Sequence, residues 1–165
     1  MKNVFKTMAL AFLIVASSCS KDDDSASSPS GSTSTSFIKA RVGDVSYDST
    51  VNGQATVTKV NIPIVGDQIT ISSAQNDGPK TLNLTFIGVT GTGTFDTGAV
   101  VFYSPNGTNA SSIGNDDSCD GVGAILVVTK YESNLIEGTF TAQLKKSDCS
   151  GAVTPVTNGS FKATF

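Results

Sequence analysis

The amino-acid sequence predicts an all-β domain, built either as an antiparallel β-sandwich or as a partly open barrel. Three observations support this prediction. Apolar and polar residues alternate in several short segments, which places every second side chain on one buried face. Turn-forming residues separate these segments, and no segment of the domain shows sustained helical periodicity. The alternation also argues against a wholly parallel sheet, whose buried strands are apolar throughout.

Eight segments are predicted to be β-strands. In Gln68–Ser73, Lys80–Ile87 and Gly159–Phe165 the alternation of large apolar residues is explicit. The remaining predicted strands, in chain order, are Phe37–Val42, Gln54–Ile62, Ala99–Tyr103, Val122–Tyr131 and Leu135–Leu144. The predicted turns, recognised by Gly, Asn, Asp and Pro, are Val51–Gly53, Gly66–Asp67, Asn76–Pro79 and Glu132–Asn134.

A short pattern, glycine followed by Ser or Thr and then Phe, occurs three times. Its copies are Gly93–Phe95, Gly138–Phe140 and Gly159–Phe161. Their unequal spacing excludes a solenoid repeat. Glycine allows a strand to bend or bulge, and an aromatic residue two positions later covers the same face. We therefore interpret the pattern as structural, since it supplies no reactive group.

Together with their neighbours, these copies resemble the landmarks of an uncharacterised lipoprotein domain family of Bacteroidetes type. The segments that carry the resemblance are Phe37–Ala40, Gly91–Phe95, Ile136–Phe140 and Val156–Phe161. The resemblance extends over most of the region from Phe37 to Phe165, and its motifs are short and structural. No function is known for the family, so the resemblance implies a surface lipoprotein with an all-β domain and no active-site residues.

The first eighteen residues have the layout of a secretory signal peptide. Lys2 and Lys6 form a positively charged start, and the run Met8–Ala16 is apolar without interruption. That run is about half of the ~20 residues that a membrane-spanning helix needs. We therefore predict a cleaved signal peptide at residues 1–18, in preference to a permanent transmembrane anchor.

Cys19 is the predicted site of lipid attachment. The residues from Ala16 to Cys19 resemble the lipobox of bacterial lipoproteins, in which the cysteine thiol receives a diacylglycerol and the freed amine can also be acylated. Ala16 departs from the leucine of the strict pattern and fits the relaxed box of Bacteroidetes-type lipoproteins. Two or more acyl chains make a stable membrane anchor, whereas one chain holds a protein only marginally.

A charged and Ser-rich segment, residues 19–36, follows the predicted cleavage site. Its charge run resembles the short tag that directs such lipoproteins to the outer face of the outer membrane, and the alternative is a solvated run. The residues of this run are Lys21, Asp22, Asp23 and Asp24. Ser25–Ser36 has no large apolar side chain and is predicted to be a disordered linker. The folded domain is then predicted at residues 37–165, in the cell envelope and facing the cell exterior.

Charge and cysteine content narrow the classes of partner. The chain carries 11 basic and 14 acidic residues, and removal of Lys2 and Lys6 leaves nine basic residues and a mature net charge of −5. Such a chain lacks the basic patch that nucleic acids require, so no nucleic-acid partner is expected. In an exported chain, Cys119 and Cys149 are predicted to form a disulfide. A metal site is the rival interpretation, but the sequence has no His and no Cys-x-x-Cys pair.

The sequence offers no motif for catalysis or for a cofactor. Without histidine, the usual Ser-His-Asp and Cys-His systems are excluded, and no glycine-rich phosphate loop opens a helix. A glycosidase needs two carboxylates roughly 5–10 Å apart. The only two glutamates are assigned to a turn, Glu132, and to the solvated face of a strand, Glu137. We therefore expect a protein that is not an enzyme and binds no cofactor.

The long polar segment Ser104–Gly121 is the candidate for a functional loop. It has 18 residues, whereas hairpin connections have roughly 2–5. Asp116, Asp117 and Asp120 are weak candidates for Ca²⁺ ligands, although they do not follow the EF-hand pattern. The preferred alternative is a solvated loop held at its end by Cys119.

The expected function is that of a non-enzymatic binding or interaction module, anchored by lipid to the outer membrane, with an unknown protein or glycan partner. The alternative is a structural or adhesion component of the envelope, which would present unpaired edge strands. A carbohydrate-binding accessory role is a further alternative, although the sequence has no Trp and only three Tyr to form aromatic platforms. An unrecognised hydrolase is the least favoured hypothesis.

Overall fold

The computed structural model describes residues 35–75 and 79–165. Within these residues, no helix is long and apolar enough to cross a membrane. Several sequence predictions concern residues outside the described part of the chain: the signal peptide 1–18, Cys19, Lys21, Asp22, Asp23, Asp24, the linker up to residue 34 and the turn residues 76–78.

The described chain forms two antiparallel β-sheets, with one short α-helix between the second and third strands. The elements in chain order are β1 (Phe37–Val42), β2 (Val45–Asp48), α1 (Ser49–Asn52), β3 (Gly53–Ile62), β4 (Gly66–Gln75), β5 (Thr81–Ile87), β6 (Gly93–Phe95), β7 (Ala99–Ser104), β8 (Ile113–Gly114), β9 (Gly123–Glu132), β10 (Leu135–Leu144) and β11 (Thr154–Thr164). A 3₁₀ turn at Asn109–Ser111 precedes β8. The prediction of an all-β antiparallel fold is confirmed, and its two separate sheets form a sandwich.

The strand order leaves one long edge and three short ones. The first sheet has the order β2-β1-β11-β10-β9-β6, and the second has the order β3-β4-β5-β7-β8. The edge strands β2, β6 and β8 have four, three and two residues, whereas β3 has ten. A short edge strand presents few free backbone groups, and it also leaves part of the neighbouring strand open. The site described below lies beside β7, where β8 is too short to cover its neighbour.

The core lies between the sheets and is filled by the inward-facing half of each alternating strand. Leu82, Leu84 and Phe86 of β5 are fully buried, and the residues between them are only partly buried. Phe86 packs against Phe161 of the other sheet, with ring centroids 5.5 Å apart. Burial of one such side chain contributes about 1.5–3 kcal/mol. The alternation seen in the sequence therefore supplies the buried apolar side chains whose removal from water holds the two sheets together.

Two copies of the Gly-[Ser/Thr]-Phe pattern lie opposite each other in the first sheet. In the antiparallel register of β10 and β11, Gly138 pairs with Phe161 and Phe140 pairs with Gly159. A Cβ atom on either glycine would overlap the facing phenyl ring and a backbone carbonyl oxygen. Each ring therefore covers a glycine on the neighbouring strand, a known way of protecting strand glycines. These two copies therefore each supply the glycine and the ring that the other strand needs. The third copy, Gly93–Phe95, pairs instead with Leu126–Val128 of β9.

Some boundaries differ from the sequence predictions because strand pairing extends beyond the region of clear alternation. The predicted turn at Gly66–Asp67 is wrong: the turn lies at Pro63–Val65, and the pairing of β3 with β4 continues to Ile62 and Gly66. Strand β11 begins at Thr154, before its predicted start. The strands β2, β6 and β8 are not predicted at all, since two to four residues are too few to show a period.

Candidate functional site: a cleft beside strand β7

A cleft of about 800 Å³ opens beside β7, where the second sheet ends. Its walls come from the β6–β7 connection, from β8 and the residues after it, from the start of β9 and from the residues after β10. Ligand pockets in proteins have volumes of roughly 300–1,000 Å³, so the cleft has the size of a ligand site. We call it the acidic cleft, and the side chains that give it its chemistry are Asp96, Val100, Phe102, Asp116, Asp117 and Lys145.

A side chain takes the place of a strand along the open edge of β7. In the described chain, β8 pairs with β7 only at Phe102 and Tyr103. The buried side chain of Asn115 forms hydrogen bonds with the backbone of the earlier β7 residues Ala99 and Val101. Its Oδ1 accepts a hydrogen bond from the Val101 amide at 2.6 Å, and its Nδ2 donates to the Ala99 carbonyl oxygen at 2.9 Å. Because buried backbone groups need hydrogen-bond partners, the side-chain amide of Asn115 holds the edge of β7 in place where it borders the cleft.

Backbone hydrogen bonds join the two sheets at one wall of the cleft. The Gly114 amide donates to the Lys145 carbonyl oxygen at 2.8 Å, and the Lys145 amide donates to the Gly114 carbonyl oxygen at 2.9 Å. The Lys145 ammonium group donates to the Asp120 carbonyl oxygen at 3.1 Å. This wall is therefore attached to both sheets, and the Lys145 ammonium group has a hydrogen-bond partner in the carbonyl group of Asp120.

The disulfide predicted from the sequence joins Cys119 to Cys149, with the two Cα atoms 5.3 Å apart. It connects the segment that carries Asp116 and Asp117 to the segment that follows β10. The Cys119 amide also donates to the Asp116 carbonyl oxygen at 3.0 Å. Two walls of the acidic cleft are thereby linked covalently, which limits the conformations open to them.

The floor of the cleft is apolar, because the outward side chains of β7 are as apolar as the inward ones. Val100 and Phe102 are 48% and 36% exposed, whereas the alternate residues Ala99, Val101 and Tyr103 are buried in the core. Phe102 faces a glycine of β8 across the strand pair, so no side chain covers its ring from that position. The floor therefore offers an aliphatic and an aromatic surface to a ligand.

Three carboxylates and one ammonium group line the cleft, so its charge is negative. Hydrogen bonds from the Ser118 backbone and side chain lower the pKa of Asp116 below its usual value, and the Ser118 amide nitrogen lies 3.0 Å from the Asp116 Oδ1. Asp116 is therefore ionised at neutral pH. A negative cleft with an apolar floor complements a cationic group that is attached to an apolar body.

The three calcium candidates do not come together as a metal site. Asp116 and Asp117 line the acidic cleft, whereas Asp120 is not part of its lining and contributes its carbonyl group to the Lys145 contact. Within residues 35–75 and 79–165, no group of three or more His, Cys, Asp or Glu side chains is placed to hold a metal ion. The geometry gives the calcium hypothesis no support.

The two glutamates considered for a glycosidase pair lie outside the cleft and are engaged in ion pairs. Glu132 at the end of β9 lies 3.2 Å from the Lys130 ammonium group. Glu137 on β10 lies 3.0 Å from the ammonium group of Lys162 on β11. Both pairs are partly exposed, and each carboxylate acts as a surface counterion.

The predicted functional segment Ser104–Gly121 supplies one wall of the cleft, and it contains a 3₁₀ turn and β8. The sequence reasoning missed the contributors from other segments, which are Asp96, Val100, Phe102 and Lys145. One signal could have revealed the floor. The run Ala99–Tyr103 is apolar at five consecutive positions, and a strand that is apolar on both faces indicates that its second face is also covered.

Comparisons with known protein families, with curated proteins and with solved structures found no match for this chain. The fold and the site alone therefore define its class: an all-β sandwich with a disulfide-linked acidic cleft at the open edge of one sheet. The resemblance to a Bacteroidetes-type lipoprotein family stays a prediction from the sequence.

Proposed function

We propose that this protein is a lipoprotein of the bacterial outer membrane, and that its β-sandwich is a non-enzymatic binding module with the acidic cleft as its ligand site. The observation that carries the proposal is the cleft, which combines a ligand-sized volume, the apolar side chains of Val100 and Phe102 and a net negative charge in its lining. Its ligand would carry a cationic group on an apolar body, because this is the chemistry that the cleft complements.

The lipid anchor is supported by the sequence, where the apolar run Met8–Ala16 is followed closely by Cys19. Exposure on the cell surface is supported by the charge run after that cysteine. Replacing its four residues by alanine should leave the protein lipidated but hide it from protease added to intact cells. Unchanged cleavage of this variant would show that the run is only part of the linker. The residues to be replaced are Lys21, Asp22, Asp23 and Asp24.

Binding is favoured over catalysis by the properties of the groups at the cleft. The general acid of a glycosidase needs a raised pKa, whereas the pKa of Asp116 is lowered by its hydrogen bonds to Ser118, so Asp116 does not suit that role. The cysteines next to the cleft are joined in a disulfide and so provide no thiolate nucleophile. What the cleft does supply is an apolar surface and a net negative charge, which suit ligand binding.

The adhesion alternative depends on a sheet edge that accepts a strand from another chain. The long edge strand β3 has the free length for this, but it carries Lys59. The Lys59 ammonium group lies 2.8 Å from the Asp67 carboxylate and 4.9 Å from the centroid of the Phe165 ring. A charged side chain on an edge strand is a common means of preventing strand addition. We therefore favour ligand binding at the cleft over pairing at this edge.

Three small probes separate the two parts of the proposed ligand. Tryptamine has an amine on an apolar ring, 3-indolepropionate has the same ring with a negative charge, and spermidine has positive charge without a ring. We expect tryptamine to shift the amide NMR signals of Val100, Phe102 and Asp117 at the lowest concentration. The cleft proposal is refuted if no probe shifts these signals, or if tryptamine and 3-indolepropionate act equally.

Neutralising the carboxylates of the cleft tests the role of its charge. At about 5 Å in water, one unit charge contributes ~0.8 kcal/mol. Three such charges contribute ~2.5 kcal/mol, so a triple replacement should weaken tryptamine binding by up to about seventyfold, and by less where salt screens the charges. The matched control is Asp44→Asn, because Asp44 is an exposed carboxylate outside the cleft lining, and it should leave binding unchanged. The triple variant combines Asp96→Asn, Asp116→Asn and Asp117→Asn.

A further inference from the structure

The turn between β3 and β4 projects apolar side chains into solvent. Ile64 and Val65 are 107% and 54% exposed, and Val60 near the end of β3 is also half-exposed. Exposed apolar side chains that are gathered in one place mark contact sites for partners or membranes, whereas isolated ones need no explanation. We call Val60 and Pro63–Val65 the apolar tip.

Ile64 has a backbone conformation that is disfavoured for its residue type. Its φ is +76°, in the left-handed region that glycine and asparagine adopt readily and β-branched residues adopt rarely. The side chain is fully exposed, so packing inside the domain does not account for it. A bulky apolar residue occupies this turn although glycine or asparagine would form it with less strain, which points to a contact outside the domain.

The charged and polar groups at the base of the apolar tip neutralise one another. The Lys59 Nζ lies 2.8 Å from the Asp67 Oδ2, and the Asn61 Nδ2 donates to the Asp67 Oδ1 at 2.9 Å. The tip is therefore an apolar projection on a neutral base. Such a surface is not repelled by a lipid headgroup layer of either charge, and it offers no charge pattern that would select a particular protein partner.

The chain enters the domain beside the strand that leads to the apolar tip. The Thr164 amide donates to the Ser36 hydroxyl oxygen at 3.0 Å, and the ring of the next residue, Phe165, lies under the Lys59 ammonium group of β3.

The 16 residue steps from Cys19 to Thr35 span at most ~55 Å. A domain of this size has a diameter of roughly 35 Å. The tether therefore lets any face reach the membrane, and surface chemistry decides which face makes contact.

We infer that the apolar tip inserts into the surface of the lipid bilayer that carries the anchored protein, as a second membrane contact besides the acyl chains. The inference rests on the anchor at Cys19 proposed above, because tethering raises the local concentration of a contact that is weak alone. The contact orients the domain on the bilayer.

The absence of Trp from the sequence allows a single-tryptophan test in the full-length protein. The isolated Ile64→Trp protein is reconstituted into vesicles of phosphatidylcholine and phosphatidylethanolamine, with and without brominated acyl chains. We expect a blue-shifted emission and at least twofold quenching by the brominated lipid. The matched control is Ile125→Trp, which replaces a half-exposed isoleucine of β9 and should show neither effect. Equal quenching at both positions, or none at position 64, overturns the inference.

A second variant separates lipid contact from folding. In a Val65→Trp reporter, Ile64→Asn should reduce quenching by the brominated lipid and should keep or raise Tm, because asparagine tolerates the left-handed conformation. Unchanged quenching overturns the inference. A blue shift that depends on protein concentration without lipid would assign the tip to a second copy of the chain and also overturns it.

The anchor is measured independently, by partition into detergent and by the mass of the Cys19 peptide. If the Cys19 peptide carries no acyl group, the proposed anchor is refuted. Membrane contact by the apolar tip can still be tested, because the same protein can be mixed with vesicles at about millimolar lipid. Quenching at position 64 alone then supports the tip, and no quenching refutes it.

Discussion

Removal of the Asn115 side chain should destabilise the domain and loosen the open edge of β7. Asn115 is 6% exposed, and its amide satisfies the Val101 amide at 2.6 Å and the Ala99 carbonyl oxygen at 2.9 Å. Asn115→Ala deprives both backbone groups of this partner. Each buried group left unsatisfied costs about 1–3 kcal/mol, so the loss of two partners should lower the free energy of unfolding by ~2–6 kcal/mol.

Urea denaturation measures this loss, and hydrogen exchange at the Val101 amide reports the strand edge directly. The control is Asn109→Ala, because Asn109 is an exposed asparagine in the same wall of the cleft. It should change stability by less than about 0.5 kcal/mol. An Asn115→Ala protein that matches this control and keeps its Val101 amide protected would refute the idea that the side chain replaces a strand.

Asn115→Asp removes only the Nδ2 donor that binds the Ala99 carbonyl oxygen. Aspartate keeps the shape of the side chain and the oxygen that accepts from the Val101 amide. Burial disfavours an ionised carboxylate, so the pKa of the introduced group should be higher in the folded protein than its unfolded value of ~3.9. The folded state then binds the proton more tightly. The variant should regain stability relative to wild type as the pH falls toward about 4, and lose it as the pH rises through the folded-state pKa. A difference in unfolding free energy that is the same at high and low pH would contradict this account.

Three other predictions concern the glycine–phenyl pairs, the disulfide and the anchor. Gly138→Ala should lower the free energy of unfolding by ~1–3 kcal/mol, because the methyl group overlaps a phenyl ring and a carbonyl oxygen. Gly123→Ala, with no atom within 4 Å of the new Cβ, should change it by less than about 0.5 kcal/mol in the same urea titration. Joint replacement of Cys119 and Cys149 by alanine should cost ~3–4 kcal/mol, and two free thiols in a peptide map of the native protein would disprove the bond. Cys19→Ser should release the protein from the detergent phase, and continued partition there would disprove the lipoprotein proposal.

Strands could be predicted from the sequence wherever burial is one-sided and continues for several residues. The bounds of β1 and β10 agree with the prediction because alternation extends over the whole of each strand. Strand β8 has only two residues, Ile113 and Gly114, and no period. It is a strand because Phe102 and Tyr103 lie beside it, and that neighbour is not visible in the local sequence.

The candidate site could be predicted only where a local feature marks it. The length and polarity of Ser104–Gly121 indicate one wall, and the presence of only two cysteines after Cys19 indicates the disulfide. The contact of Lys145 with Gly114 depends on how the two sheets meet, which no local pattern encodes. Asn115 is likewise one of several polar residues in a loop, and only the free edge of β7 distinguishes it.

At the edge of β7, a side chain makes the backbone hydrogen bonds that a neighbouring strand would otherwise make. Because this side chain is small, it leaves room for the acidic cleft. A full strand at this edge would satisfy the backbone of Ala99 and Val101, but its own side chains would cover the outward surface of Val100 and Phe102. The Asn115 amide satisfies both backbone groups with far less volume, so the apolar floor stays open. The arrangement needs external support, because a single side chain cannot hold an edge as a ladder of strand hydrogen bonds does. The bridge between Gly114 and Lys145 in one wall supplies part of that support. The disulfide supplies the rest, because it joins the segment after β8 to the segment after β10.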